Sequence, residues 1–374
     1  MAEHLRVDSQ KIMFHTDWMA RWKNGRHDWR RAKSIYPIQV EIAPSGACNH
    51  HCAFCAMDFT GHKPRFISRN ALLMTLKDMS KGGVKSVMYS GEGEPGMNPE
   101  LPDIIVSSKK LGLDVGLQTN GSCLNERFLE KSLRDICWIK VSIDAGRRET
   151  YQKIHRPKNP GDWEQLFENL KFSVRLKREN NYQCRIGAQL LLLPQARDEN
   201  GDIIPGTAEE AIILAEKLKK IGLNYFIIKP YSHQPLSLTR TYKNLVYKNY
   251  KRLEKTLKSF ATDNFEIIFR SRSMQRYSTI RNYHQCLAIP FAWTYIMSDG
   301  SVYSCSVYLG DERFYLGNIN EQSFKEIWEG SRRKKQWKFM QNFNLENCRK
   351  ICIMDRVNEY LWEAANPPYN INFI

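Results

Sequence analysis

Three cysteines, Cys48, Cys52 and Cys55, stand close together in the run Ser45-Gly-Ala-Cys48-Asn-His-His-Cys52-Ala-Phe-Cys55. Gaps of three and then two residues let their thiolates close over one face of a small inorganic cluster. A [4Fe–4S] cube takes four ligands, so three cysteines leave one iron open to a small molecule. Zinc is the competing reading, because a structural zinc takes four protein ligands and His50 or His51 stands near to supply the fourth. The spacing favours iron–sulfur, with zinc and three unlinked thiols as the alternatives.

A second group follows far downstream: Cys286, then Gly300-x4-Cys305, then Cys348-x3-Cys352. Four thiolates suit either one fully protein-ligated [4Fe–4S] cluster or one structural zinc. A cluster with no open iron would accept or relay an electron rather than bind substrate. Cys123, Cys137 and Cys184 are scattered and read as small buried hydrophobes. The first eight residues are polar and lack a secretory core, so a cytoplasmic chain is expected. In that compartment ten cysteines are not a disulfide framework.

The elements that must position these groups can be read from periodicity. Apolar strand-like runs occur at Ile38 to Ile42, Ser86 to Tyr89, Val115 to Gln118, Trp138 to Ile143, Arg185 to Leu193 and Tyr225 to Lys229. Helical patterns alternate with them at Asn70 to Met79, Leu101 to Leu111, Glu126 to Leu133, Trp163 to Lys177 and Ala208 to Ile221. Gly82-Gly83, Gly112 and Gly222 sit where helices should stop. Six strand–helix units imply an α/β fold with a parallel sheet and right-handed crossovers. Such a sheet carries its chemistry at the carboxyl ends of the strands, where the first cysteine loop falls.

Residues 1–37 form a basic, Trp-rich extension with Trp18, Trp22 and Trp29, read as a helix packed on a barrel end or a substrate-touching arm. Residues 38–262 are assigned to the barrel. Residues 263–374 are a small α+β unit of short strands (Phe265 to Phe269, Trp293 to Met297, Ser301 to Ser304), a Ser298-Asp-Gly-Ser301 hairpin turn and a helix at Ser323 to Gly330. No apolar run approaches the ~18 residues of a membrane span.

Composition is that of an ordinary globular protein, with 42% hydrophobic and 26% charged residues, but the net charge is +16. Nucleic acid, an anionic small substrate and an acidic electron carrier are the partners this charge would suit. The basic residues are spread through Arg30-Arg31, Lys217 to Lys220, Lys248 to Lys258 and Arg332 to Lys335, which reads as a solvated face. With no recognition motif beside them, nucleic acid is disfavoured.

Three further strand ends carry polar groups in order: Ser90-Gly-Glu-Gly-Glu94-Pro95, Gln118-Thr-Asn-Gly121 and Lys140-Val-Ser142-Ile-Asp144-Ala-Gly146. A hydroxyl and a carboxylate two residues apart on a strand face the same way. Together with the cysteine loop and its Phe54, these segments resemble the radical S-adenosylmethionine (SAM) enzymes over residues 38 to 230. The resemblance implies a partial (β/α)6 barrel, a [4Fe–4S] cluster on Cys48, Cys52 and Cys55, and SAM on its open iron. It gives Gly93 and Glu94 to the amino group of SAM, with Glu92 standing where the family has glycine. Asn120, Ser142 and Asp144 join the cofactor set, and Gln189 and Lys229 are candidates for SAM or substrate.

The second cysteine group, with Phe324-Lys-Glu-Ile-Trp328, resembles the auxiliary-cluster (SPASM) domain of these enzymes in its shortened, twitch form. That implies a second [4Fe–4S] cluster on Cys286, Cys305, Cys348 and Cys352. The function expected is hydrogen abstraction from a small polar, anionic substrate (carbohydrate, cyclitol or nucleotide-linked), giving an oxidised product with the auxiliary cluster as electron acceptor. Flavodoxin or ferredoxin would be the acidic electron donor. An epimerase, with Cys123 as hydrogen donor, or a peptide maturase is the alternative; a basic zinc protein binding nucleic acid is the remaining one. His233 is noted as a proton acceptor or a surface residue.

Overall fold

The computed structural model describes residues 9–243 and 245–373. The polar residues 1–8, from which the absence of a secretory segment was read, lie outside them. The strands of the main sheet are β1 (Gln39–Ile42), β2 (Ser86–Tyr89), β3 (Asp114–Thr119), β4 (Trp138–Ser142), β5 (Arg185–Leu192), β6 (Tyr225–Pro230), β7 (Glu266–Phe269), β8 (Tyr295–Ile296), β9 (Ser301–Tyr303) and β10 (Tyr315–Asn318). The helices that matter here are α1 (Thr16–Gly25), α2 (Arg69–Gly82), α3 (Leu101–Lys110), α4 (Glu126–Ser132), α5 (Arg148–His155), α6 (Asp162–Glu179), α7 (Ala208–Ile221), α8 (Phe324–Glu329), α9 (Ser331–Phe339) and α10 (Asp355–Ala365).

Local sequence explains where the helices begin and end. The Ser68 hydroxyl accepts from the Ala71 N–H to start α2, and the Asn125 side chain accepts from the Phe128 N–H to start α4. Ser323 and Glu326 form a reciprocal capping box at α8. Gly83, Gly112 and Gly222 adopt left-handed backbones at the expected helix ends.

Six parallel strands, β1 through β6, lie side by side in chain order, as a partial (β/α)6 barrel requires. Their alternation sorts the side chains. Val40, Val87, Leu117, Val141, Ile186 and Phe226 face outward into one buried cluster with Leu72, Leu170 and Leu214 of the surrounding helices. The inward face carries the polar Glu41, Gln118, Lys140, Ser142, Gln189 and Lys229 beside the apolar Met88 and Ile227. Low on the inner face, Trp138 lies across Gly116 and Tyr225 across Gly187. A Cβ on Gly116 would stand 2.2 Å from the Trp138 ring, and one on Gly187 2.4 Å from that of Tyr225. The two glycines therefore admit the rings that floor the barrel.

The sheet runs beyond the six strands at both edges. Glu266–Phe269 pairs parallel with β6, so it extends the barrel sheet. At the opposite edge β8 pairs parallel with β1, and the β8–β9–β10 meander continues the same sheet. The two units thus share backbone hydrogen bonds, a long-range pairing that periodicity does not encode. The N-terminal extension packs on the C-terminal unit: Trp18 and Trp22 are buried with Leu287, Phe291, Trp337 and Leu361. Arg333, read as part of a solvated run, is buried over the Trp328 ring at 3.8 Å. It donates to the carbonyls of Trp328 (2.8 Å) and Pro290 (2.9 Å) and reaches those of Ala32 and Ile35, tying the extension down. Among the described residues no helix is long and apolar enough to cross a membrane.

Candidate functional site

The loop leaving β1 is held at two places. Gly93 and Glu94 donate their N–H groups to the carbonyls of Ser45 (3.1 Å) and Ala47 (2.8 Å), and Ala53 donates to Ile154 O at the end of α5 (2.8 Å). This folds Cys48, Cys52 and Cys55 toward one another beyond the barrel. Burial pushes the Cys48 thiol up to about 12 and Cys55 to about 11. Cys52 is also pushed well up, first by burial and then by Cys55 and Cys48. Thiols held so are protonated at neutral pH unless a cation replaces the protons.

Gly93 sits tight against this loop, since a Cβ there would stand 2.0 Å from the Ala47 carbonyl oxygen. Two backbones in contact cannot both stay. Gly93→Ala is expected to part the two loops and cost at least half of the iron bound at the N-terminal thiols. Iron analysis beside wild type checks it.

Glu94 is buried, which raises its pKa, yet its carboxylate is well served. It accepts from the N–H groups of Asn120 (2.7 Å) and Gly96 (3.0 Å) and from the Thr119 hydroxyl. It therefore fastens the β2 loop to the end of β3. Glu92 points elsewhere: it accepts from Ser298 N (2.7 Å) and Arg65 (3.0 Å), and Arg65 also meets Asp299. Where a glycine was expected, a carboxylate ties the β2 loop to the C-terminal hairpin. The Asn120 side chain donates to Asn49 (2.8 Å) and accepts from Ser122, which braces the cysteine loop.

Ser142 and Gln189 are register partners on β4 and β5, and the Gln189 amide donates to the Ser142 hydroxyl at 2.8 Å. Asp144 accepts from Leu191 N with one oxygen. Burial raises its pKa to about 7 against the pull of that N–H and of Lys229. Asp144 Oδ2 and Gln189 Oε1 are buried with no hydrogen-bond partner. Asp144 Oδ2 has His155 Nε2 near it, at 3.4 Å, and two buried acceptors without a hydrogen bond on neighbouring strands are what a bound nucleoside with hydroxyl and amino donors would satisfy. The residues present thus fit the nucleoside part of SAM, which would supply donors to these two oxygens.

Deeper in the barrel Lys140 and Lys229 are driven down to about 8 and about 7, chiefly by burial and then by neighbouring cations, Arg270 acting on both. Glu41 lies among them, its pKa raised by burial and lowered in part by Lys140, Arg349 and Lys229. A cavity of about 730 Å³ opens beside Lys140 toward the amino ends of the strands, where Ile38, Gln39, Trp138 and Tyr225 also line it. Met88, Trp138, Lys140 and Arg270 line its inner wall, Ser9 to Ile12 of the N-terminal extension another, and Ile351 to Glu359 a third. Cys352 is among the lining residues. Cys123 is not; it packs against Gly96 beneath the β2 loop. His233 Nδ1 is buried without a partner, and burial with Arg240 and Lys243 lowers the ring's pKa.

Cys286, Cys305, Cys348 and Cys352 line one small pocket walled by Tyr283, Tyr308, Phe314 and Phe343. Burial raises Cys286 to about 12 and drives Cys305 well up, with Cys352 and the other thiols adding to it. The Val307 and Met354 N–H groups point at Cys305 and Cys352 sulfur, both at 3.4 Å. An all-thiol donor set with N–H···S bonds fits a four-ligand iron–sulfur cluster and equally a zinc.

Sequence reasoning missed the layer behind the first cysteines. Asp162 at the start of α6 holds His50 (3.1 Å) and Asn49 (3.0 Å), and His155 at the end of α5 meets Cys52 sulfur at 3.5 Å. His50, Cys52 and His155 come within 4.8 Å of one another, a grouping that zinc could use. His155 Nε2, however, is already taken by the Asp144 N–H at 2.9 Å. The His-His pair beside the cysteines was visible in sequence; Asp162 and His155, over a hundred residues away, carried no signal.

Residues 42–183 match the family model of the radical SAM superfamily, and residues 286–353 that of an iron–sulfur cluster-binding domain, SPASM. An S-adenosylmethionine-dependent nucleotide dehydratase of Lacinutrix mariniflava is 32% identical over 114 residues, 29% of this chain and 24% of that protein. A probable GTP 3′,8-cyclase of Saccharolobus solfataricus is 33% identical over 116 residues, 31% of this chain and 37% of its own. The matched stretches thus span about a quarter to a third of these relatives. Streptococcus suis SuiB, solved with its precursor peptide SuiA, is similar in fold (TM-score 0.62, 17% identity, 85% of this chain and 71% of SuiB). So is anSMEcpe, solved with bound AdoMet (TM-score 0.57, 16% identity, 90% of this chain and 98% of that one). SAM and two [4Fe–4S] clusters are the cofactors these domains support.

Proposed function

From a chain that joins a radical SAM domain to an iron–sulfur cluster-binding domain, we propose an enzyme that oxidises a small anionic substrate held in its barrel, the auxiliary cluster taking up the electron. When bound, the reduced cluster and SAM supply a 5′-deoxyadenosyl radical that removes a hydrogen atom from an unactivated C–H bond. Cys48, Cys52 and Cys55 would hold that cluster, and Gly93, Glu94, Asn120, Ser142, Asp144 and Gln189 would shape the SAM pocket. Four cysteines in the C-terminal unit support reading it as the shortened, single-cluster twitch form. We place the barrel at residues 38–270, extended to include β7, and the auxiliary unit beyond it.

The observation that carries the reading is the cavity that has Lys140 and Arg270 on one wall and Cys352 on another. Cations in a low-dielectric barrel suit phosphate or carboxylate. A cluster ligand at the same cavity gives an electron a short way out. The names of the two curated relatives, a nucleotide dehydratase and a GTP cyclase, support an anionic, nucleotide-type substrate. A peptide maturase is the second reading, supported by SuiB, whose likeness is one of fold. An epimerase, with Cys123 as hydrogen donor, is a further reading. An acidic one-electron donor such as flavodoxin or ferredoxin would suit the basic surface.

Reconstituted without oxygen and reduced, the protein is expected to convert SAM to 5′-deoxyadenosine and methionine. Nucleotides and sugar phosphates should accelerate this and yield a product lighter by two hydrogens. No 5′-deoxyadenosine from fully loaded protein would end the proposal. An isomeric product carrying solvent deuterium would replace oxidation with epimerisation.

A further inference from the structure

We infer that His155 is a positioning residue for the N-terminal cluster, its Nδ1–H donating to Cys52 sulfur and raising the cluster's reduction potential. The inference rests on the proposed function, in which Cys52 is a cluster ligand.

His155 closes α5 with its side chain almost wholly buried. The Asp144 N–H donates to its Nε2 at 2.9 Å. A ring nitrogen that accepts a hydrogen bond carries no proton, so the proton of the neutral ring sits on Nδ1. That nitrogen lies 3.5 Å from Cys52 sulfur, within reach of an N–H···S bond. The ring is not free to turn away. Tyr151 stacks on it at 4.5 Å, and Phe54 and His50 meet it edge-on, both at 5.7 Å. Backbone bonds from His51 to His155 O and from Ala53 to Ile154 O clamp the cysteine loop to the same helical turn. One imidazole therefore joins a cluster ligand to the strand end that carries Asp144.

The physical effect has a definite sign. Reduction adds a negative charge to the cluster, and hydrogen bonds to its sulfurs stabilise the more negative state. In this buried setting the donor is poorly replaced by water. Losing it makes the cluster harder to reduce.

Three variants separate hydrogen bonding from ring shape in the full-length, anaerobically reconstituted protein. The amide nitrogen of His155→Asn overlays Nδ1 and keeps the donor to sulfur. His155→Gln puts its amide at Nε2 and keeps only the acceptor for Asp144, and His155→Phe keeps only the ring. The readout is a potentiometric titration followed by electron paramagnetic resonance, with the SAM-perturbed signal identifying the N-terminal cluster beside the auxiliary one. At a fixed potential the Gln and Phe variants should show a reduced-to-oxidised ratio about tenfold lower, 59 mV for one electron, with Asn near wild type. Equal potentials in wild type, Gln and Phe would overturn the inference, as would Asn shifting as far as Phe. If the Phe variant does not fold, the Asn–Gln comparison decides alone. A wild-type protein with no SAM-responsive signal would instead remove the proposed function, an outcome distinct from unshifted potentials.

Discussion

A chain carrying Ala at Cys48, Cys52 and Cys55 together is expected to form no 5′-deoxyadenosine and to keep about four irons, one cluster's worth. The reason lies in how separately the two thiol groups are built. The first three cysteines hang on a loop clamped by the β2 turn and the end of α5. The other four line a pocket of Tyr283, Tyr308, Phe314 and Phe343 within the C-terminal unit. Removing all three ligands of the first site leaves the second intact. The reciprocal variant, Cys305→Ala, should keep SAM cleavage and lose the oxidised product, because the radical source stands while the electron's exit is gone. Iron analysis with chromatography of the nucleoside reads both. A triple variant with no iron at all would show the two sites to be interdependent, and product formation by Cys305→Ala would remove the auxiliary cluster from electron uptake.

Lys140→Met should weaken the use of an anionic substrate by two to three orders of magnitude in kcat/KM, the scale of losing one partner of a buried charge pair. The same change should make the substrate-free protein more heat-stable by a few degrees. Lys140 is held near 8, below the ordinary lysine value, mainly by burial and then by Arg270. Its protonated form is therefore disfavoured in the fold. The sign follows: below about 8 the folded chain carries the full penalty of the buried charge, and the penalty is relieved as pH rises from about 8 toward the unfolded lysine value of about 10.4. Lys229, held at about 7, acts in the same direction from about 7 upward. The anion needs Lys140 charged, so kcat/KM for an anionic substrate should fall above pH 8 while the empty protein grows more stable. Activity profiles and thermal melts over pH 6 to 10 test this opposition. A variant that loses stability and activity together would assign Lys140 to packing.

The sequence by itself determined the parts that depend on local pattern. Apolar alternation located six strands within a residue or two, and helical periodicity with terminal glycines located five helices between them, though not Arg148–His155. Because the strands are parallel, their ends had to gather on one side, so Cys48, Glu94, Asn120 and Asp144 could be assigned to one neighbourhood before any coordinate was known. The two cysteine groups were legible for the same reason: ligand spacing is a short-range property. What only the tertiary structure decided are the contacts between segments far apart in the chain. No periodicity says that Glu92 accepts from Ser298, that Arg333 is buried beneath the N-terminal extension, or that Glu266–Phe269 completes the barrel sheet. Nor does spacing place His155 against Cys52 or Cys352 on the cavity that holds Lys140. Such pairings come from the packing of whole elements, where burial forces every polar group to find a partner wherever the fold brings one within reach.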